Sequence, residues 1–119
     1  MESRNIFERI PELEAMGFKR WQKTGNGKSF DRLYVDARNL GLDVSYYKTG
    51  NVSGATFNGC KISNCEARRM LASKTYIDLI GHRIYSDNFD LAKKVAEICG
   101  LDTSDYEYVG KAVIYKFFI

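Results

Sequence analysis

The sequence predicts an α+β domain in which a mostly antiparallel sheet, built from hairpins, carries about three short helices. Short runs of alternating apolar and polar residues, typical of half-buried strands, recur along the chain. Turn-forming residues separate these runs, and Asn58-Gly59 is the strongest signal because both residues tolerate the positive φ of a two-residue hairpin turn. Three other stretches space their apolar residues as helices do. With 119 residues, 45% of them hydrophobic, the chain is most simply a single domain, residues 1–119.

The first helix is predicted over residues 5–16. Ile6, Ile10 and Leu13 fall at helical spacing and form its apolar stripe. Pro11 lies inside this pattern, and since proline has no backbone N–H, the helix either starts or kinks there.

A first hairpin follows, with strands predicted over residues 18–23 and 30–35 and a turn over residues 24–28. Successive side chains of a strand point to opposite faces, which divides the first strand into two sets. One set is Lys19, Trp21 and Lys23, and the other is Phe18, Arg20 and Gln22. The indole of Trp21 is therefore expected between basic neighbours.

The middle of the chain is predicted to form a second hairpin followed by a helix. A helical turn, the two hairpin strands and a third short strand are expected at residues 37–41, 42–48, 52–57 and 60–62. The helix is expected over residues 64–73, with Ser63 or Asn64 as its N-terminal cap.

The C-terminal part is predicted to hold a third hairpin, a helix and one more strand. Gly81-His82 turns a strand at residues 76–80 into a strand at 83–85. The helix is expected over residues 89–99. Residues 109–119 are dense in β-branched and aromatic side chains, which predicts one buried or central strand.

The start of the sequence predicts no targeting segment. It lacks a basic stretch followed by an apolar region, so no signal peptide is expected. No apolar run approaches the roughly 20 residues that cross a bilayer. We therefore expect a protein of the cytoplasm, bacterial or host, with no membrane partner. Its three cysteines, an odd number without a secretion signal, favour reduced thiols.

Positive charge is concentrated in the middle of the chain. Residues 17–74 hold eleven Lys and Arg against four Asp and Glu, whereas the whole chain has a net charge of only +3. This distribution predicts one positive surface for an anionic partner, unless opposite charges mix on the folded surface.

Several segments carry a resemblance. They are Phe18-Lys19-Arg20-Trp21, Asp31-Arg32-Leu33-Tyr34, Tyr46-Tyr47-Lys48-Thr49-Gly50-Asn51, Phe57-Asn58-Gly59, Lys61-Ile62-Ser63 and Glu66-Ala67-Arg68-Arg69. In order and spacing they resemble small proteins of unassigned role encoded by phages and mobile elements of Gram-positive gut bacteria. The resemblance covers roughly residues 6–98 and implies a phage or mobile-element context. Such accessory proteins often act on host defence or DNA metabolism, and anti-CRISPR proteins are the best-known class of this size. The resemblance assigns no functional residues.

Two alternative functions follow. The first is a non-enzymatic inhibitor that binds a host protein or nucleoprotein complex, such as a CRISPR effector, and occludes a surface, because Tyr and Arg are frequent interface anchors. The second is a DNA- or RNA-binding accessory protein, in which basic side chains neutralise phosphates and aromatic ones stack on bases. If Trp21 and Tyr34 are instead core residues, the lysines only solvate strand edges. The candidate partner-binding residues are Lys19, Arg20, Trp21, Lys23, Lys28, Arg32, Tyr47, Lys48, Lys61, Arg68 and Arg69.

Metal binding and catalysis are weaker alternatives. Cys60, Cys65, His82 and Cys99 have zinc-binding side chains, but Cys60 and Cys65 are five positions apart and His82 and Cys99 do not form the second close pair that a structural zinc site has. A nucleophilic Cys60 or Cys65 with His82 as its base is the one enzymatic arrangement available. We expect no enzyme activity, no cofactor and no metal, and the sequence leaves the oligomeric state open.

Overall fold

The structure is a computed structural model that describes residues 5–25 and 27–117. The α-helices in this part of the chain are α1 (Ile10–Ala15), α2 (Asn64–Leu71) and α3 (Phe89–Ile98). Two 3₁₀ helices lie at Ile6–Arg9 and Ala37–Leu40. The strands are β1 (Lys19–Lys23), β2 (Phe30–Tyr34), β3 (Leu42–Tyr46), β4 (Val52–Phe57), β5 (Cys60–Ile62), β6 (Thr75–Asp78), β7 (Arg83–Ser86), β8 (Glu107–Val109) and β9 (Ala112–Lys116).

The larger of the two sheets has six strands in the order β1-β2-β6-β7-β9-β8. Every neighbouring pair is antiparallel. β2 pairs with β6 although β3, β4, β5 and α2 all lie between them in the chain. The first and third predicted hairpins thus become parts of one continuous sheet.

The smaller sheet contains β3, β4 and β5, and α2 packs on β3 and β4. Asn58 and Gly59 form the tight turn between β4 and β5 with φ values of 53° and 81°. Ser63 caps α2, since its Oγ accepts a hydrogen bond from the Glu66 N–H at 3.0 Å. Both the predicted turn and the predicted cap are confirmed.

One face of the six-stranded sheet supplies the centre of the hydrophobic core. Leu33, Ile77, Ile84 and Tyr115 are cross-strand neighbours in four adjacent strands, and each is 0% exposed. α3 packs on β7 and β9 and adds its buried apolar residues to the same cluster. The fold is therefore α+β with mostly antiparallel sheets, as the sequence predicts.

The prediction of one strand over residues 109–119 is wrong. Gly110, with φ of 66°, lies in a turn that separates β8 from β9. β8 is the exposed edge of the sheet, whereas four of the five residues of β9 are buried. The apolar density of this segment masked the turn, and residues 118–119 of the predicted strand lie outside the described residues.

Other elements differ from prediction mainly at their ends. The N-terminal helix divides into a 3₁₀ turn and α1, with Pro11 in the first turn of α1, where a missing N–H costs no hydrogen bond. β6 ends at Asp78 because its carboxylate accepts hydrogen bonds from the backbone N–H groups of Ile80 and Gly81 at 3.2 and 3.0 Å.

None of the helices described here has the length and apolar character that a bilayer-spanning helix needs.

Candidate functional site

The six-stranded sheet presents a second face, opposite the core, which we call the open face. Directly paired residues of antiparallel strands share a face, so the register identifies its members. They are Lys19, Trp21, Lys23, Phe30, Arg32, Tyr34, Tyr76, Asp78, Arg83, Tyr85, Glu107, Val109, Ala112, Ile114 and Lys116. Tyr76 and Ile114 are buried, yet they lie outside the cluster that contains the core residues of α3. The open face is therefore covered by its own side chains.

Three tyrosines form a row across the centre of the open face. Tyr34, Tyr76 and Tyr85 lie opposite one another in β2, β6 and β7. The ring centroids of Tyr34 and Tyr76 are 5.1 Å apart, and those of Tyr76 and Tyr85 are 4.9 Å apart in a stacked arrangement. Burial raises the pKa of the central tyrosine, Tyr76.

Arg32 lies beside this row and is held in place by aromatic groups. Its guanidinium is 4.5 Å from the ring centroid of Tyr76 and 5.5 Å from that of Phe30. Nη1 donates a hydrogen bond to the Tyr34 hydroxyl at 3.0 Å, which is the main reason why the pKa of Arg32 is raised. The buried Nε has no hydrogen-bond partner among the described residues. The open face thus carries a fixed cation on an aromatic support.

An open pocket of about 290 Å³ lies next to Arg32, lined by Trp21, Phe30 and Tyr34. Trp21 is paired with Arg32, while Phe30 and Tyr34 flank Arg32 on the same strand face. Trp21 is 60% exposed, so the hypothesis that it is a core residue is wrong. The pocket therefore combines the exposed ring of Trp21 with the half-buried rings of Phe30 and Tyr34.

Two lysines border this pocket. Lys19 and Lys23 flank Trp21 on β1 and lie opposite Tyr34 and Phe30. Both are exposed, and neither forms an ion pair with a described residue. The one acidic residue in the adjacent part of the face, Asp78, is engaged by Arg83, with Nε and Oδ2 3.5 Å apart. This end of the open face is consequently basic as well as aromatic.

Arg20 does not belong to this surface, although it is among the candidates predicted from the sequence. It is paired with the core residue Leu33 and therefore faces away from Trp21. Its guanidinium donates two hydrogen bonds to the Asp31 carboxylate, at 3.0 and 2.8 Å, and these raise the pKa of Arg20. A partner on the open face would not contact this charge.

The remaining candidates lie elsewhere in the fold. Lys28 is exposed in the connection between β1 and β2. A further five, which we call the small-sheet set, are exposed on the three-stranded sheet, its first turn and α2: Tyr47, Lys48, Lys61, Arg68 and Arg69. The structure thus brings together Lys19, Trp21, Lys23 and Arg32, and places the small-sheet set on a different sheet.

Phe30 and Tyr76 belong to the open face but are not among the candidate residues predicted from the sequence. Phe30 shares strand parity with Arg32, so alternation along β2 was a usable signal. Tyr76 gave no such signal, because it reaches Arg32 only through the pairing of two strands that are distant in sequence.

The groups considered for metal binding or catalysis do not form a site in the part of the chain that the structure describes. No group of three or more His, Cys, Asp or Glu residues there is arranged to hold a metal ion. Cys60 and Cys65 are exposed, whereas Cys99 is buried, which raises the pKa of its thiol to about 11. The ring of His82 lies against Phe7 and Phe117, with centroid distances of 6.3 and 5.8 Å.

Comparisons of this chain with protein-family models, with curated proteins and with solved structures give no match. The resemblance to phage and mobile-element accessory proteins therefore stays a prediction.

Proposed function

We propose that the protein is a non-enzymatic module that binds single-stranded nucleic acid on the open face of its six-stranded sheet. One observation carries the proposal: the exposed ring of Trp21 and the half-buried rings of Phe30 and Tyr34 form a pocket, bordered by a fixed arginine and by two lysines that form no ion pair with a described residue. Such a surface combines the two contacts that single strands require, namely ring stacking and phosphate neutralisation.

Stacking is the contact that favours a single strand over a duplex. The rings of Trp21, Phe30 and Tyr34 can contact a base only if its face is free, and a base inside a duplex has both faces covered. Base–aromatic stacking contributes about 1–3 kcal/mol per base and tolerates every base. We therefore expect affinity for single strands with little sequence preference.

The charges are arranged to follow a strand. Lys19 and Lys23 are four residues apart on β1, which places their Cα atoms about 13 Å from each other. That separation sets one cation on each side of the Trp21 ring. Phosphates on both sides of a stacked base would each meet a lysine, with a salt-dependent gain in affinity.

The protein's single tryptophan gives a direct test of this proposal. The protein is titrated with three ligands while the fluorescence of Trp21 is recorded. The ligands are a short single strand of mixed sequence, a duplex of the same sequence, and inorganic polyphosphate as a purely ionic control. Strong quenching by the single strand, with little from the other two ligands, supports the proposal. Equal quenching by polyphosphate, or none by the single strand, refutes it.

A second candidate function concerns the small sheet. Tyr46 and Tyr47 are 52% and 60% exposed next to Lys48, and exposed tyrosine beside positive charge is typical of protein interfaces. In this alternative the chain, from a phage or mobile element and acting in the bacterial cytoplasm, occludes a surface of a host defence or nucleoprotein complex, as anti-CRISPR proteins do. Purification with host lysate before and after nuclease treatment distinguishes the two, because a protein partner that survives nuclease supports the second candidate.

A further inference from the structure

A second pocket adjoins the aromatic one, and we infer that it binds the sugar–phosphate of the neighbouring nucleotide. This inference rests on the proposed function. It makes a dinucleotide the shortest strand that can occupy both pockets. The second pocket has a volume of about 440 Å³ and lies where β1 and β2 meet the 3₁₀ helix Ala37–Leu40.

The two pockets are neighbours because Tyr34 forms a wall of both. Lys19, paired with Tyr34 across the strands, lines only the second pocket. A strand whose base stacks on Trp21 therefore passes Lys19 as it enters the second pocket. We assign the linking phosphodiester to the ammonium group of Lys19.

The second pocket differs in chemistry from the first. Its polar lining consists of Lys19, Arg38, Asn39, Ser73 and Asp36, whose carboxylate is paired with Arg38, whereas the first pocket is lined by aromatic residues. Sugar and phosphate groups require hydrogen-bond donors and positive charge rather than ring surface. This contrast divides the proposed ligand into a stacked base and a hydrogen-bonded backbone.

Arg38 is oriented before any ligand arrives. Its Nε and Nη2 donate to the Asp36 carboxylate at 3.0 and 2.9 Å, which leaves Nη1 without a hydrogen bond to any described residue. The Asp36 carboxylate also accepts a hydrogen bond from the backbone N–H of Arg38 at 2.9 Å, so the Asp36 side chain caps the 3₁₀ helix. A guanidinium held in this way presents a donor at little entropic cost.

Asn39 supplies a second group. Gly17 has φ of 107° and no side chain, and a Cβ there would meet the Asn39 amide nitrogen at 2.7 Å. The absence of that Cβ lets the amide lie over the backbone at the wall of the pocket. Within the described residues its nitrogen and oxygen form no hydrogen bond, so both are available to a sugar hydroxyl or a phosphate. Ser73, in contrast, already donates to Asp87 at 2.6 Å.

The test compares a thymidine mononucleotide, dinucleotide and trinucleotide by quenching of Trp21 fluorescence. For the unaltered protein we expect the dissociation constant to fall by about tenfold from mononucleotide to dinucleotide. In the double variant Arg38→Gln, Asn39→Ala, most of this gain in affinity from mononucleotide to dinucleotide should be lost. Its affinity for the mononucleotide should stay unchanged, and this unchanged affinity also shows that the variant is folded. Arg69→Gln, on the exposed surface of α2, serves as the control for loss of one positive charge.

The outcomes separate the two claims. If the dinucleotide step persists in the double variant, the second pocket is not part of the binding path, although the proposed function stands. If the step is absent from the unaltered protein while longer strands still quench Trp21, this inference alone is overturned. If no single strand quenches Trp21, the proposed function fails and this inference fails with it.

Discussion

The open face and the small-sheet set are built from the same kinds of side chain, but they are organised differently. On the open face, strand pairing places Arg32 against Tyr76 and surrounds it with three further aromatic residues. In the small-sheet set, the basic residues project from a turn, an edge strand and a helix. Basic and aromatic residues therefore make a binding surface only where the fold brings the two kinds of side chain together.

The largest effect is expected from removing the exposed ring of each region. Trp21 and Tyr47 are both 60% exposed, which makes them a matched pair. Trp21→Ala should weaken binding of a labelled single strand by about 1–3 kcal/mol because it removes a stacking partner, whereas Tyr47→Ala should leave it unchanged. Fluorescence polarisation measures both variants, since the tryptophan signal is lost in one. If Tyr47→Ala reduced the affinity more than Trp21→Ala, the single strand would bind to the small sheet rather than to the open face.

The second comparison concerns charge. Lys19→Gln, Lys23→Gln removes the two lysines beside the aromatic pocket, and Lys48→Gln, Lys61→Gln removes the same charge from the small-sheet set. The first pair should reduce the slope of log affinity against log salt by about 1.4, because each phosphate contact with a single strand contributes about 0.7. The second pair should leave the slope nearly unchanged. Equal slopes for the two double variants would mean that net charge, rather than placement, attracts the nucleic acid.

The sequence predicts each local element better than it predicts the assembly of the two regions. Strand alternation placed Lys19, Trp21 and Lys23 on one side of β1, because the two-residue period is a local property of the backbone. The turn at Asn58-Gly59 was equally accessible, because it depends on the φ values of two residues.

The pairing of β2 with β6 was not predicted, and it decides which residues form the open face. This pairing joins strands that are separated by the entire small sheet, and no local pattern specifies such a neighbour. For the same reason the sequence could not separate the small-sheet set from the open face. Arg20 is a different case, because strand alternation alone places it on the other side of β1 from Trp21.

Stability should also distinguish the two regions. Arg32→Leu removes the contact with the Tyr76 ring and the hydrogen bond to Tyr34, so we expect the free energy of unfolding to fall by about 1 kcal/mol. Arg69→Leu, on an exposed helix surface, should change it by less than about 0.5 kcal/mol. Urea denaturation followed by circular dichroism measures both. Equal effects would show that the aromatic support of Arg32 does not stabilise the fold.

The smallest effect is expected from chemical labelling, and here the prediction is that binding does not change. Cys60 and Cys65 are exposed on β5 and α2, so a maleimide should modify both at mildly alkaline pH. Cys99 should resist, because it is 6% exposed and burial raises its pKa to about 11, which keeps the thiol protonated. Mass spectrometry of the folded protein should therefore show two added maleimide groups. After denaturation the thiol of Cys99 should become accessible, and a third group should be added.

The doubly labelled protein then carries a bulky group on the small sheet and another on α2. If the open face alone binds the single strand, polarisation should report the same affinity before and after labelling. A large loss of affinity would mean that the small sheet or α2 also contacts the bound strand, so that binding would not be confined to the open face. Cys60→Ser, Cys65→Ser, treated with the same reagent, shows whether any such loss comes from the attached groups, because Cys99 is then the one thiol left among the three.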